Sequence, residues 1–426
     1  MSSEALRDRL IERSVAGNWG SFIALGRIMA VIGAGLFIWA LTKGDATRAW
    51  QVFHVNWIFW TGIAGGSIAL TAVHKIANAK WSGVMIRFSQ AAVAFLPISL
   101  IAMALIFTLG YDAVYGHMQE ELHGLPHGKE IWLSYPVMLG RLVVSLGALF
   151  ALGWALIKAD LLPDMHAARE WVTGARRAFF DKMLRNYDAT PEGVVTHQAK
   201  IHRLAPMYAA LYALVFTIVA FDGMMALQPH WFSNLFGGWY FMGSFLGGHT
   251  ALALLMLFGA RHLGVSDLIS PKQRHDLGKL IFGFSVFWTY LMWSQFLVIW
   301  YGNLPEETGF VFSRLWGDWR PIGTAVFAGM FLIPFAGLLG ETPKKTKPIL
   351  GLFAAISFVT LWIERYLMVM PSVAEHNAPA FGLPELAPTL LFLGLFLLCY
   401  GWFGKTFPMI SPRLAMITLE REQGHH

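Results

Sequence analysis

Apolar residues run in long unbroken blocks along this chain, at 21–42, 54–77, 85–110, 134–158, 204–226, 232–260, 277–301, 321–340, 347–370 and 387–405. Each reaches or exceeds the ~20 residues a helix needs to cross ~30 Å of hydrocarbon. Backbone amides find no water at that depth, so helices are the expected form. A closed barrel would show alternating strands of ~10 residues, and none is visible. The pattern predicts an all-α integral membrane protein with ten transmembrane helices. No small-residue cleavage site follows the first block, so the first span is expected to be retained.

Ionisable residues interrupt these blocks: Arg27, Arg141, Asp222, Glu364 and Arg365. A charge stays in a bilayer only with a partner, a water-filled cavity or a task. At 1.5 Å per residue, Asp222 lies roughly 6 Å from the outer end of its span, and Arg141, Gln295, Glu364 and Arg365 roughly 7–10 Å. His54 opens the second span on that side. An outer polar layer is therefore expected, with His54, Arg141 and Asp222 in one half of the chain and Gln295, Glu364 and Arg365 in the other. A second set, His74, Gln90, His202 and Arg203, lies toward the opposite face, with His249 and Tyr290 between the layers.

Hydrophobic residues make up 56% of the chain and charged residues 14%, against about 25% charged in soluble domains. The net charge of +6 matters through its distribution. The segments on the side of the termini hold Arg7, Arg9, Arg13, Lys75, Lys80, Arg87, the basic run from Lys158 to Arg203, Lys272, Lys279, Lys344, Lys345, Arg413 and others. The opposite side holds Lys43, Arg48, Lys129, Arg314 and Arg320. The positive-inside rule then places both termini in the cytoplasm, and the basic balance reports orientation rather than affinity for nucleic acid. Trp50, Trp57, Trp60, Trp132, Trp231, Trp300, Trp316 and Trp319 form an aromatic belt at the outer ends. The single cysteine, Cys399, excludes an intrachain disulfide, an iron–sulfur cluster and covalent haem within the chain. His54, His74, His249 and His262 sit at different depths, so no bis-histidine haem and no metal site is expected.

Segment 159–203 divides the chain. Its Trp171, Ala175, Phe179 and Met183 share one helical face, with Arg169, Arg176, Arg177, Lys182 and Arg185 around the rest, which predicts an amphipathic surface helix or a tether. Spans 2–5 and 6–9 read as two four-helix bundles. The divisions are 1–53 (N-terminal segment and a peripheral helix), 54–226 (first bundle), 227–370 (second bundle) and 371–426 (a peripheral tenth helix and cytoplasmic tail). TGIAGGSIAL (61–70) aligns with GSFLGGHTAL (243–252), superposing Gly65-Gly66 on Gly247-Gly248 and Ser67 on His249. Both segments run from outside to inside, so the repeat is parallel.

An acid–base pair in an apolar cleft suits proton-coupled quinol chemistry, since a quinol needs an acceptor beside each hydroxyl. Arg141–Asp222 also reads as a buried ion pair that fixes helix packing. Glu364 and Arg365 are adjacent, ~100° apart on a helix, and each is expected to find its partner on another helix. His74, His202 and Arg203 read either as part of a proton route or as interfacial snorkelling.

WYGNLPEETGF (300–310), ERYLMVMPS (364–372) and FDGMMALQPHWFSNLFGGWYF (221–241), with ten spans in two bundles, resemble the NrfD-like (polysulfide reductase membrane subunit) family. Within it the likeness is to the shorter such subunit of bacterial alternative complex III, a quinol:cytochrome c oxidoreductase. The resemblance implies a bacterial inner-membrane protein with a quinone or quinol pocket, menaquinone among the candidates, on the periplasmic side of the first bundle. It also implies proton half-channels, a homologous NrfD-like neighbour, and partner subunits carrying iron–sulfur clusters and c-type haem. Asp222 matches the family's span-5 Asp, Glu364 and Arg365 its ERY motif, and Asn303, Glu306 and Glu307 its loop after span 7. Gly223 and Gln228 depart from the Trp and Asp expected there.

The expected function is thus a membrane subunit of a quinol-oxidising complex, not catalytic in isolation. Asp222, His54 and Arg141 are expected at the quinol, and His249, Glu364, Arg365, Tyr290, His74 and His202 along a proton path. A proton-coupled secondary transporter and a structural anchor are the alternatives. The orientation is testable with single cysteines introduced on a Cys399→Ser background. In intact cells an impermeant maleimide should label Lys129→Cys at once, and Lys272→Cys only after lysis; the reverse order refutes it.

Overall fold

The computed structural model describes residues 3–374 and 378–423, and among these every regular element is helical. Ten long helices carry the architecture: α1 (Gly20–Lys43), α2 (Ala46–Ile76), α3 (Ile86–Leu109), α4 (Tyr135–Ala167), α5 (Pro191–Gly223), α6 (Phe236–His262), α7 (Pro271–Gly302), α8 (Gly317–Gly337), α9 (Lys347–Val373) and α10 (Leu383–Thr406). Among the described residues nine helices are long and apolar enough to cross a membrane, which makes this a multi-pass membrane protein. The exception is α2. At 31 residues it has ample length, but Gln51, His54, Asn56, Thr61, Ser67, Thr71 and His74 dilute its apolar character, and all seven are buried. From Ala49 to Ala72 protein rather than lipid surrounds α2, which is why it tolerates polar groups that a lipid-facing helix would not.

α2 meets α6 at the glycine pairs. A Cβ on Gly66 would collide with the Ser244 carbonyl, and one on Gly248 would lie 2.7 Å from the Gly66 carbonyl carbon. The Tyr240 hydroxyl donates to Ile58 O at 2.9 Å, and Gly62 abuts Ser244. The pairs Ile58–Tyr240, Gly62–Ser244 and Gly66–Gly248 are each separated by 182 residues, the same spacing that superposes the two sequence segments. The helices therefore run side by side in one direction, with equivalent residues touching across a local twofold axis. Glycine permits this backbone-to-backbone approach because it has no Cβ to exclude it.

α2, α3, α4 and α5 pack together, as do α6, α7, α8 and α9. α1 and α10 pair with each other, and α10 leans on α2 and α3. Their seam is also glycine-built and antiparallel: Gly26 faces Leu398, Gly33 faces Leu391, Gly394 faces Ala30 and Gly401 faces Ile23. Two spans are irregular. α3 passes through a 3₁₀ turn at Ala91–Phe95 ahead of Pro97, and α8 through a π-turn at Ala328–Leu332 ahead of Pro334.

α4 runs to Ala167 and α5 begins at Pro191, so both helices extend beyond the predicted spans and the connecting segment shrinks. Its helix covers Gly174–Leu184. The predicted apolar stripe forms its inner face in part: Phe179 and Met183 pack on the core, joined by buried Phe180, whereas Trp171 and Ala175 are exposed. Arg176 turns inward and donates to Val15 O, Thr406 O and Phe407 O. Unpaired carbonyls at two helix ends outcompete water for that guanidinium. The segment straps the end of the N-terminal helix Ser3–Val15 to the end of α10.

The crossing predicts a steep size dependence. Gly66→Ala should destabilise the protein by ~1–3 kcal/mol through overpacking. Gly116→Ala, where a Cβ meets nothing within 4 Å, should be neutral or stabilising by up to ~1 kcal/mol. Thermal unfolding in detergent separates the two.

Candidate functional site

Asp222 sits in the last turn of α5 and is buried. Arg141, from α4, binds both of its carboxylate oxygens, Nη2 to Oδ1 at 2.7 Å and Nε to Oδ2 at 2.9 Å. The guanidinium lies 3.7 Å from the Trp132 ring centroid and donates to Trp132 O. A bidentate, stacked arginine holds its partner in one orientation. The Tyr115 hydroxyl reaches the Asp222 main-chain carbonyl at 3.1 Å.

His54, from α2, completes the group. Its Nε2 lies 2.7 Å from Gly223 O, and a carbonyl only accepts, so Nε2 carries the hydrogen. Nδ1 of the neutral ring is then a bare acceptor. It is buried and has no hydrogen-bond partner. Trp57 and Tyr115 flank the ring, with centroids at 5.4 and 5.6 Å. The structure thus brings His54, Arg141 and Asp222 together from three helices, with the carboxylate paired and the imidazole nitrogen unpaired. Gly223, one of the two departures noted in the sequence, is the residue that orients the histidine.

The second bundle differs from expectation. Arg365 does find a partner on another helix, its Nη2 donating to Tyr240 O of α6 at 3.3 Å, but Glu364 does not: its Oε2 lies 2.7 Å from Arg365 Nη1. The long arginine side chain folds back across the ~100° between adjacent positions and lies 4.4 Å from the Tyr240 ring centroid, which holds it in place. The contact is ionic without a directed hydrogen bond, so both Glu364 oxygens remain without a donor. Gln295 lines a cleft of about 70 Å³ with Trp239, Trp288, Phe310 and Arg314. Arg314, which the sequence shows only as a loop cation, is 2% exposed. It donates to Phe310 O, Met368 O and Ser372 Oγ. Burial pulls its pKa from 12.5 down to about 9, so it stays charged at neutral pH. Asn303 adopts a left-handed conformation (φ 47°) and closes α7 through its N–H to Ile299 O, a capping role. Glu306 is exposed.

Toward the termini the proposed path is less connected. His249 is buried between Phe245 and Phe284, its Nδ1 donating to Phe245 O at 2.8 Å. His74 does the same to Leu70 O at 2.8 Å and leaves Nε2 unpartnered. His202 is exposed, and Tyr290 is 60% exposed on the outer surface of α7. The largest buried charge cluster here escapes the sequence reading. Asp160, in the extension of α4, binds Lys75 at 2.5 Å, Gln90 at 2.8 Å and Arg413 at 3.3 Å, while Asp164 binds Arg87. Three converging cations around carboxylates one helical turn apart were the available signal, hidden because the span was ended at 158.

Among the described residues no three His, Cys, Asp or Glu side chains are grouped to hold a metal ion. No protein-family model and no curated protein matches the sequence.

The Arg141–Asp222 pair predicts non-additive stability effects. Arg141→Met should cost ~3–5 kcal/mol by leaving a buried carboxylate uncompensated. Arg141→Met with Asp222→Leu should recover most of that loss. Equal losses in the single and double variants, read from detergent unfolding, would refute the pairing.

Proposed function

We propose that this chain is the membrane subunit of a quinol-oxidising respiratory complex in a bacterial inner membrane, with ten spans, α2 the tenth, and both termini cytoplasmic. The observation that carries the reading is His54 Nδ1, a buried acceptor without a partner on a ring whose Nε2 is held by the residue next to the Arg141-bound Asp222. A quinol hydroxyl placed there gives its proton to Nδ1, and Gly223 O, on the turn that the Arg141–Asp222 pair fixes, accepts from the Nε2–H of the imidazolium that forms. Oxidation releases two protons and two electrons. The protons leave to water on the outer side, and the electrons leave through redox centres of partner subunits, iron–sulfur or c-type haem; among the described residues no three His, Cys, Asp or Glu side chains are grouped to hold a metal. The likeness of its motifs to the NrfD-like subunits of alternative complex III supports the same assignment, including a homologous membrane neighbour.

Partner contact is supported by Arg27. It is exposed on α1 among Leu25, Ile28, Val31 and Ile32, all exposed, and an unpaired lipid-facing cation calls for a carboxylate from outside the chain. A proton path through Glu364, Arg365, His249 and His74 rests on their unsatisfied or singly bonded groups, with His202 at its open end. Tyr290 faces away and is left out. The bidentate Arg141–Asp222 geometry favours the competing reading, a structural anchor.

His54→Phe separates the two. In the assembled complex it should lower quinol oxidation by about 100-fold or more, the usual worth of a general base, with subunit composition unchanged. Unaltered turnover supports the anchor. Proton-coupled solute uptake by the isolated chain in liposomes would instead support a transporter.

A further inference from the structure

The side that carries the termini holds two adjoining hollows lined by cations. The first, about 210 Å³, is bounded by His74, Lys75, Lys80, Gln198, His202 and Arg413, with no carboxylate in its lining. The second, about 340 Å³, shares Lys80 and Thr418 with the first and adds Lys272, Lys279 and Arg421. Its single acid, Asp276, is bound to Lys279 at 2.7 Å. The ridge between the hollows is fixed by the Thr418 hydroxyl, which donates to Lys80 O at 2.7 Å.

These cations exceed the local anions. Lys75 and Arg413 share one carboxylate, Asp160, with Arg87, whose own partner is Asp164. Three cations thus face two anions before Lys80 is counted. His74 is 7% exposed and its Nε2 has no partner. The helix Pro412–Gln423 begins here, and its first turn lines the hollow through Arg413 and Leu414, adding the positive end of a helix dipole. The chemistry called for is an oxyanion.

The rim specifies its source. Val73 (42% exposed) and Ile76 (47%) on the last turns of α2, and Ile417 (36%), which lines the first hollow, present bare apolar surface beside the cations. A soluble anion gains nothing from that surface, whereas acyl chains do. We propose that the paired hollows seat the headgroup of an anionic phospholipid, and that a lipid with two phosphodiesters, one per hollow, is preferred.

The test uses the delipidated full-length chain in detergent, with lipid retention titrated by native mass spectrometry. Diphosphatidylglycerol should bind more tightly than phosphatidylglycerol, and phosphatidylcholine at least tenfold more weakly than either. Lys80→Ala should weaken diphosphatidylglycerol about fivefold and Lys80→Glu about 30-fold, at roughly 1 kcal/mol per basic residue near an anionic surface. Lys129→Ala, on the opposite side, should change nothing. Unchanged unfolding temperatures of the Lys80 variants without lipid show that the fold survives. Phosphatidylcholine binding equal to that of the anionic lipids, or indifference to Lys80→Glu, overturns the site. Displacement of lipid by millimolar inorganic phosphate assigns it to a soluble anion instead. Equal affinity for one- and two-phosphate lipids overturns the pairing of the hollows.

Discussion

The contact of α2 with α6 through Gly66 and Gly248 is the constraint on which the remaining architecture depends. Once two backbones touch, no side chain can mediate between them, so their relative height and rotation are fixed by carbonyl and amide positions. Because equivalent residues meet, α3 and α5, packed on α2, acquire counterparts in α7 and α9, packed on α6, and the two bundles inherit a common level. The outer polar groups lie at comparable depth in both halves for that reason.

Enclosure of α2 has an electrostatic corollary. A helix sheltered from lipid on all sides, as α2 is from Ala49 to Ala72, can carry histidines, a glutamine and an asparagine, provided each finds a bond. Most do: Gln51 reaches Val373 O and Ala113 O, and Asn56 joins α9 and α10 through Trp362 and Thr389. His54 and His74 each satisfy one nitrogen and leave the other bare, which distinguishes them from residues that merely secure packing. Around this core the charges brace opposite ends of the first bundle, Arg141–Asp222 at one and the Asp160–Asp164 cluster at the other.

The hydrophobic blocks made the helices legible, since long apolar runs have few other outcomes, and depth counting brought His54, Arg141 and Asp222 to one layer. What the blocks concealed follows from their own logic. Asp160 and Asp164 were lost because polar residues ended the apolar run while the helix continued on tertiary bonds. Arg314 looked like a loop cation because its acceptors, Met368 O and Ser372 Oγ, lie 54 and 58 residues away. Glu364 and Arg365 were separated by ideal helical angles, which ignore the reach of a flexible arginine. The strap helix misled in part for a related reason: its moment pointed one way, but carbonyls at remote chain ends pulled Arg176 the other.

The glycine seam between α1 and α10 joins two spans that are far apart in the sequence. Because α10 also rests on α2 and α3, and Glu385 at its start binds Arg48 at 2.6 Å, a nascent chain halted before residue 383 lacks the piece that closes the inner wall. Its early helices must wait in the membrane, with Gly26 and Gly33 uncovered, until α10 emerges. Emergence of α10, rather than of either bundle, is therefore the event that commits the molecule to its final shape, and a product truncated before it would present the insertion and quality-control machinery with an open groove.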